Sequence, residues 1–398
     1  MKALNQLKTF HRILTEYPGD TPLSKFLPGF YRQNKQMGST DRKVANRLIY
    51  NYFRLGKALK NRPADDRLMV AEFLCNNQVN SFLQHFKPEW ALCINFTIEE
   101  KLALIRTAYA DFVLEDVFPW TDQLSEGIDK QAFLTSFFQQ PDLFIRIRKG
   151  FEQQVKIQLK QADIAFKDEG HNCLSLPNGT KLETIFSKQH LFEVQDLSSQ
   201  QTAQFFKPHK WEQWWDACAA SGGKSLLLHE QEPNLKLVVS DVRESILANL
   251  DERFEHAGLR KYQKKVLDLT QNPDPILHDY AFDGIILDAP CSGSGTWGRT
   301  PEMIHQFNPQ RIEFFNHLQQ QIAANVVKYL KPGKPLIYIT CSAFKGENEQ
   351  TVDFLVNTLN LKLEEQKVLK GYEHKADTMF AARLTPYPPK GGTSVRLS

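Results

Sequence analysis

The stretch DACAASGGKS, Asp216 to Ser225, decides how the rest of the chain is read, because its last four residues match the tail of a nucleotide-phosphate loop. A loop of the form GxxxxGK[ST] needs glycine five residues before the glycine of GK, so that backbone amides can wrap the phosphates. Counting back from Gly223 gives Cys218. The frame fails at its first glycine, and a P-loop NTPase becomes a secondary reading. What remains is a glycine pair that follows an apolar run and leads toward a helix. There, bare backbone and a helix N-terminus can come close to a nucleoside cofactor.

The surrounding rhythm supports that reading. WEQWWDA (211–217), LKLVVSDV (235–242), QKKVLDLT (263–270), FDGIILDAP (282–290) and KPLIYITCS (334–342) read as strands. Amphipathic stretches such as ESILANLDERFEHAGL (244–259) and RIEFFNHLQQQIAANVVKYL (311–330) lie between them. Strand and helix in alternation predict an α/β domain with a parallel, doubly wound sheet. Asp216, Asp241, Asp268 and Asp288 then fall at strand C-termini, the edge along which open α/β sheets bind ligands. Singly, each could cap a helix; together they predict a site. Asp241, about 20 residues past the glycines, is placed to accept hydrogen bonds from ribose hydroxyls, and Asp268 is available for a base.

The N-terminal third has a different period. In DRKVANRLIYNYFRLGKALK (41–60) and IEEKLALIRTAYADFVLEDVF (98–118) apolar residues recur at three- and four-residue spacing, which predicts a helical bundle. Ser39 and Thr40 are helix-capping types, and Arg42, Lys43, Arg47 and Arg54 read as a solvated polar face. Next, PDLFIRIRKG (141–150) alternates as a strand and FEQQVKIQLKQADI (151–164) as a helix, so a small α+β module is expected. Arg146, Arg148 and Lys149 either face phosphates or keep an edge strand soluble. The expected domains are 1–130 (helical), 131–200 (small α+β) and 201–398 (α/β), with a loosely ordered tail, TPYPPKGGTS (385–394).

At 398 residues, with 41% hydrophobic and 24% charged residues, the chain has the composition of an ordinary globular protein with more than one core. A net charge of +3 neither requires nor excludes a nucleic-acid partner. No run has the apolar length of a signal peptide core or a membrane span, so a cytoplasmic protein without a membrane partner is expected. The six cysteines form no CxxC pair, which argues for free thiols and against a structural metal site.

Two of those cysteines lie at the ligand edge: Cys291 in DAPCSGSG (288–295) and Cys341 in YITCSAFKGENEQTV (338–352). With VQDLSSQ (194–200) and DACAASGGKS, in this order, they resemble the motifs of the RNA cytosine-carbon-5 methyltransferases of the Sun/RsmB type, over about residues 140 to 385. DRKVANRLIYNYFRL (41–55) is similar to the NusB-like RNA-binding domain of the bacterial ribosomal-RNA branch. The resemblance implies a Rossmann-like S-adenosylmethionine-dependent methyltransferase domain, preceded by a small RRM-like module and an all-α NusB-like domain. Cys218, Ala219, Ala220, Ser221, Gly222, Gly223 and Lys224 would line the methionine and ribose end of the cofactor. Asp241 would take the ribose, Asp268 the adenine, and Asp288 a place between cofactor and target base.

That chemistry uses two thiols. Carbon 5 of cytosine is a poor nucleophile, so a thiolate adds to carbon 6 and pushes electron density onto carbon 5. Release requires loss of the carbon-5 proton and expulsion of the thiolate. Spacing leaves open which cysteine attacks, since a Pro-Cys pair is also the attacking element of DNA cytosine methyltransferases. The resemblance assigns attack to Cys341 and release to Cys291, with Asp288 stabilising charge on the base. Three positions depart from the family pattern: Ser221 replaces proline, Ile246 replaces an arginine common in the ribosomal branch, and DTMF (377–380) replaces DGFF. RNA is the expected partner, ribosomal by the NusB-like N-terminus and tRNA as the alternative, and a monomer is expected. A non-catalytic RNA-binding ribosome-assembly protein on the same fold is the competing class.

Overall fold

In the computed structural model, which describes residues 2–187 and 189–387, the strand-helix alternation after residue 211 closes into one mixed sheet. The strands along the chain are β1 (Leu143–Ile147), β2 (Lys167–Gly170), β3 (Cys173–Leu176), β4 (Phe192–Val194), β5 (Gln213–Asp216), β6 (Lys236–Asp241), β7 (Tyr262–Val266), β8 (Gly284–Asp288), β9 (Leu336–Thr340), β10 (Leu361–Lys370) and β11 (Thr378–Pro386). Among the described residues, seven of them form a sheet in the order β10-β11-β9-β8-β5-β6-β7.

Strands β5 to β9 pair in parallel, as the alternation predicts. At one edge the expectation of a parallel sheet is corrected: β11 runs antiparallel to β9 and to β10. Residues 371–377, which include the 3-10 helix Gly371–His374, join β10 directly to β11, and so short a connection can only return antiparallel, whereas parallel neighbours need a crossover of about a dozen residues or more. The tail residues after 387 lie outside the described residues.

Alternate side chains of the central strands fill two cores. Trp215, Ile285, Leu287 and Tyr338 pack with Ile322, Ala323 and Val326 of the helix Gln310–Val327. Trp214, Ile286, Ile337 and Ile339 pack with Leu226 and Leu228 of the helix Gly223–Gln231 and with Leu247, Leu250 and Phe254 of the helix Glu244–Ala257. Gly284 is needed here, because a Cβ on it would stand 2.4 Å from the Trp214 ring.

Residues 142–295 and 310–387, with 125–128, make one compact unit, which also contains a smaller antiparallel sheet ordered β2-β3-β1-β4. Val155 and Leu159 of the helix Glu152–Gln161 pack on it. Because β1 is an inner strand, its arginines do not serve an edge. Arg146 is buried and donates to Gln195 (3.0 Å) and Glu230, while Arg148 donates to Glu193 and to Glu230 (3.0 Å). Carboxylates of the protein itself occupy both, so neither is left for phosphate; Lys149 alone of the three is exposed.

The other unit comprises residues 2–124, 129–141 and 296–309. It is helical, as its period predicts, and includes the helices Lys2–Glu16, Leu23–Gln33, Ser39–Arg54, Ala64–Cys75 and Ile98–Ala108. Two details differ from the sequence reading. The helix Ser39–Arg54 takes Gly38 as its N-cap without a side-chain cap, so Ser39 and Thr40 lie inside it. Arg54 is 1% exposed and donates to the carbonyls of Phe137, Gln139 and Gly298 instead of facing water. Arg47 pairs at 3.1 Å with Glu72, whose carboxyl burial pushes up.

Candidate active site

Along the carboxyl edge of the large sheet the strand order reverses between β5 and β8, the place where open α/β sheets bind ligands. Register staggers the edge. Asp216 pairs with Val239 on one side and Ile286 on the other, so Asp241 and Asp288 each reach two residues beyond it (241 − 239 and 288 − 286). The loop after β5 therefore settles between two projecting carboxylates. Asp216 lies beneath it, fully buried, with Oδ2 accepting the Ser225 hydroxyl at 2.6 Å and Oδ1 without a hydrogen-bond partner. Burial, opposed by the Ser225 bond, pushes its carboxyl up to about 7.

The loop backbone is bound to its neighbours strand by strand. The Ala217 N–H donates to Ile286 O (2.9 Å), that of Ala219 to Ser240 O (2.8 Å) and that of Ala220 to Asp241 Oδ2 (3.0 Å). Ala220 and Gly222 turn the chain with φ of 47° and 83° before the helix Gly223–Gln231. At Gly222 the left-handed backbone and a Phe254 carbon 2.3 Å from a notional Cβ both exclude a larger residue. Cys218 sits in the loop, its thiol raised by burial and then by Asp216, Asp241 and Asp288, which makes it a poor nucleophile.

Ser221 is held where proline is the family norm. Arg253 donates to its hydroxyl (2.9 Å) and, through Nε, to Glu193 of β4 (2.8 Å). Asp241 accepts from the N–H and Nε of Arg243 (3.0 and 3.1 Å), so a guanidinium stands beside this carboxylate from position 243 although Ile246 carries none. Asp268 lies two residues past the end of β7, exposed, accepting the Thr270 N–H at 2.9 Å and hydroxyl at 2.6 Å.

Lys224 and Ser225, which in a phosphate loop would face the nucleotide and its magnesium, are taken up within the protein. The Lys224 Nζ donates to Asp288 Oδ2 and to Ser199 Oγ, both at 2.9 Å, and Ser225 is committed to Asp216. Ser199 comes from VQDLSSQ, so that motif and the glycine loop meet at Lys224, which carries the contact on to Asp288. Among the described residues, no group of three or more His, Cys, Asp or Glu side chains could hold a metal ion.

Beyond Asp288 the loops after β8 and β9 bring the two cysteines together, with Cys291 Sγ and Cys341 Sγ 3.3 Å apart. Contact with Cys341, then burial, raise the Cys291 thiol well above its ordinary value, with the charge of Glu347 adding to it.

A buried polar layer braces these loops, and most of it escaped the sequence reading. The Gly295 N–H donates to Cys341 O (2.9 Å), and the Ala343 N–H to Ser294 Oγ (2.9 Å). The Ser292 N–H donates to Glu347 Oε2 (2.7 Å), and Gln319 Nε2 to Pro290 O (3.0 Å). Asn348 bonds Thr340 and donates from Nδ2 to Ser125 Oγ (2.7 Å) and Ser342 O (2.9 Å). Glu347, Asn348, Thr340 and Gln319 are wholly buried. Their signal was the run GENE after Cys341, unusually polar for a segment so close to a core strand.

The chain is similar to known proteins in sequence and in fold. Residues 203–393 match the family described as 16S rRNA methyltransferase RsmB/F. Ribosomal RNA small subunit methyltransferase B of Proteus mirabilis is 29% identical over 62% of this chain, a match that spans 59% of its own length, less than two thirds. The proteins of the same name from Salmonella paratyphi B and Salmonella arizonae are 34% and 32% identical, each over 77% of this chain and 72% of their own length. Two structures from Pyrococcus horikoshii share the fold. NSun6 superposes with a TM-score of 0.59 at 16% identity, covering 67% of this chain and 96% of its own. A methyltransferase homolog superposes with 0.56 at 20% identity, covering 71% and 97%. The Rossmann-like methyltransferase fold, the ordered loops along its edge and relatives matched at this identity over most of their length have one meaning: this chain belongs to the RsmB/F family of 16S rRNA methyltransferases.

Proposed function

We propose that this protein methylates carbon 5 of a cytosine in RNA, the small-subunit ribosomal RNA by preference, through a covalent adduct between Cys341 and the base. The observation that carries the reading is the pair of sulfurs, 3.3 Å apart, beside an aspartate held by a buried lysine. A binding protein has no use for two thiols so arranged at a ligand edge.

The residues present suit S-adenosylmethionine. Bare backbone at Ala219 to Gly223 offers close approach, Asp241 offers carboxylate oxygens to a ribose, and Asp268 offers one to an exocyclic amine. Arg243, which covers Asp241, has a side chain 58% exposed and can swing aside. When bound, S-adenosylmethionine supplies an electrophilic methyl group for carbon 5.

The rest is the work of this chain. Cys341 forms the bond to carbon 6. Asp288, with one oxygen held by Lys224, keeps the other for the ring nitrogen or amino group of the cytosine and stabilises charge there. Cys291 serves release: a base takes the carbon-5 proton, the electron pair of that C–H bond re-forms the double bond between carbons 5 and 6, and Cys341 leaves carbon 6 as a thiolate, a departure that Cys291 assists. In this reading 1–130 is the RNA-binding helical domain, 131–200 a small accessory module and 201–398 the catalytic domain.

Cys291→Ala is expected to accumulate a covalent protein-RNA adduct, seen as a band resistant to denaturing electrophoresis. Cys341→Ala is expected to give neither adduct nor methylated product from labelled cofactor. The reverse pattern would exchange the roles, and full turnover by both variants would remove the covalent route. Bisulfite sequencing of RNA from a deletion strain identifies the lost 5-methylcytosine, and a loss in tRNA alone would displace the ribosomal substrate.

A further inference from the structure

Glu347 joins the two cysteine loops. It lies in the loop that follows Cys341, and its Oε2 accepts the N–H of Ser292, the residue next to Cys291, at 2.7 Å. Its backbone carbonyl accepts the Tyr338 hydroxyl at 2.6 Å from within the core, so the residue cannot swing away. The side chain is 0% exposed, and Oε1 is buried without a hydrogen-bond partner. Burying a carboxyl with one oxygen unsatisfied costs stability, and an amide in its place could hold the same N–H more cheaply. A feature this costly in the wall of a two-thiol site calls for a reason other than folding.

We propose that Glu347 is a positioning residue for adduct release: its carboxyl grips the Ser292 amide and thereby holds Cys291 beside Cys341 and the carbon-5 proton. The inference rests on the reading of Cys291 as the release group. An ionised acceptor grips an N–H more tightly than a neutral one. Since burial pushes this carboxyl up to about 7, the grip changes strength near neutral pH.

The test uses the full chain, S-adenosylmethionine and unmethylated 16S ribosomal RNA transcribed in vitro. Turnover and adduct fraction are measured for Cys291→Ala, Glu347→Ala and Glu347→Gln. Glu347→Ala is expected to accumulate adduct and to lose turnover on the order of 100-fold, the scale of a misplaced catalytic group, with KM for RNA unchanged. Glu347→Gln, which keeps an acceptor for Ser292, is expected to recover most of that turnover and to lose the inflection near pH 7 that the wild type shows in release. If Cys291→Ala accumulates adduct and Glu347→Ala does not, the proposal about Glu347 is wrong while the reading of the cysteines stands. If Cys291→Ala accumulates none, that reading fails first. Should Glu347→Ala not fold, Glu347→Gln decides: an inflection retained near pH 7 overturns the proposal, and its loss supports it.

Discussion

At the scale of single residues, the carboxylates beneath the cofactor loop make stability depend on pH. Asp216, held up to about 7 by burial, binds a proton in the folded state that the unfolded chain has released above about pH 4. A carboxyl raised on folding contributes stability that is complete below its unfolded value and is lost as pH rises through its folded one. Between pH 4 and 7 the loss approaches about 1 kcal/mol per pH unit. Glu347, raised to the same range, acts in the same direction. Asp216→Asn keeps an acceptor for Ser225 and carries no titrating proton, so its melting temperature is expected to fall less than that of the wild type from pH 5 to 8. Parallel curves for the two proteins would show that Asp216 does not titrate there. Asp216 was legible as a strand-end carboxylate; that it lies under the loop with an unpartnered oxygen was not, because depth depends on the register of β5 against β6 and β8.

At the scale of elements, the alternation of LFIRI predicts the strand β1 but not where its arginines lie. LFIRI has a strand period, yet the face its basic residues occupy is decided by strand order, and β1 lies inside its sheet with β3 and β4 on either side. Arg146, held down to about 10 by burial, is matched by Glu230 from the helix that follows the glycine loop and by Gln195. Removing one partner of such a pair leaves the other's desolvation uncompensated. Arg146→Met is expected to cost about 3 kcal/mol in urea unfolding, toward the low end because Glu230 is 30% exposed and keeps Arg148. The double variant with Glu230→Gln is expected to recover part of that loss. Strictly additive effects would mean that the pair is not coupled.

At the scale of the whole molecule, the chain leaves the unit of the large sheet after Gly295, joins the helical unit for residues 296–309 and returns. Within the helical unit the Trp297 ring meets Phe307 at 4.8 Å, Phe307 meets Trp120 at 5.0 Å, and Glu302 accepts the Leu23 N–H at 2.9 Å. A fragment from residue 142 onward retains every strand of the large sheet and still carries this excursion without its partners. It is expected to elute from size exclusion as aggregate, since Trp297, Ile304 and Phe307, all buried in the intact chain, lose their cover. A monodisperse, cooperatively melting fragment would refute this. Composition and period along the chain do not reveal the excursion, because TWGRTPEMIHQF reads locally as an ordinary loop.

What the sequence by itself determined was local or motif-borne: the helical N-terminus, the strand-helix alternation, the carboxylates at strand ends, and the two cysteines with the ordered motifs around them. These follow from periodicity and from residue type at fixed spacing, both written along one stretch of chain. Only the tertiary structure decided which polar groups meet: Lys224 with Asp288 and Ser199, Arg253 with Ser221, Arg54 with three carbonyls, Glu347 with Ser292. Each joins residues far apart in the chain, and its worth comes from burial, which depends on what packs overhead. The same holds for GGKS. Its spacing leaves a phosphate loop as a secondary reading, and in the fold its lysine and serine serve the aspartates of the sheet edge.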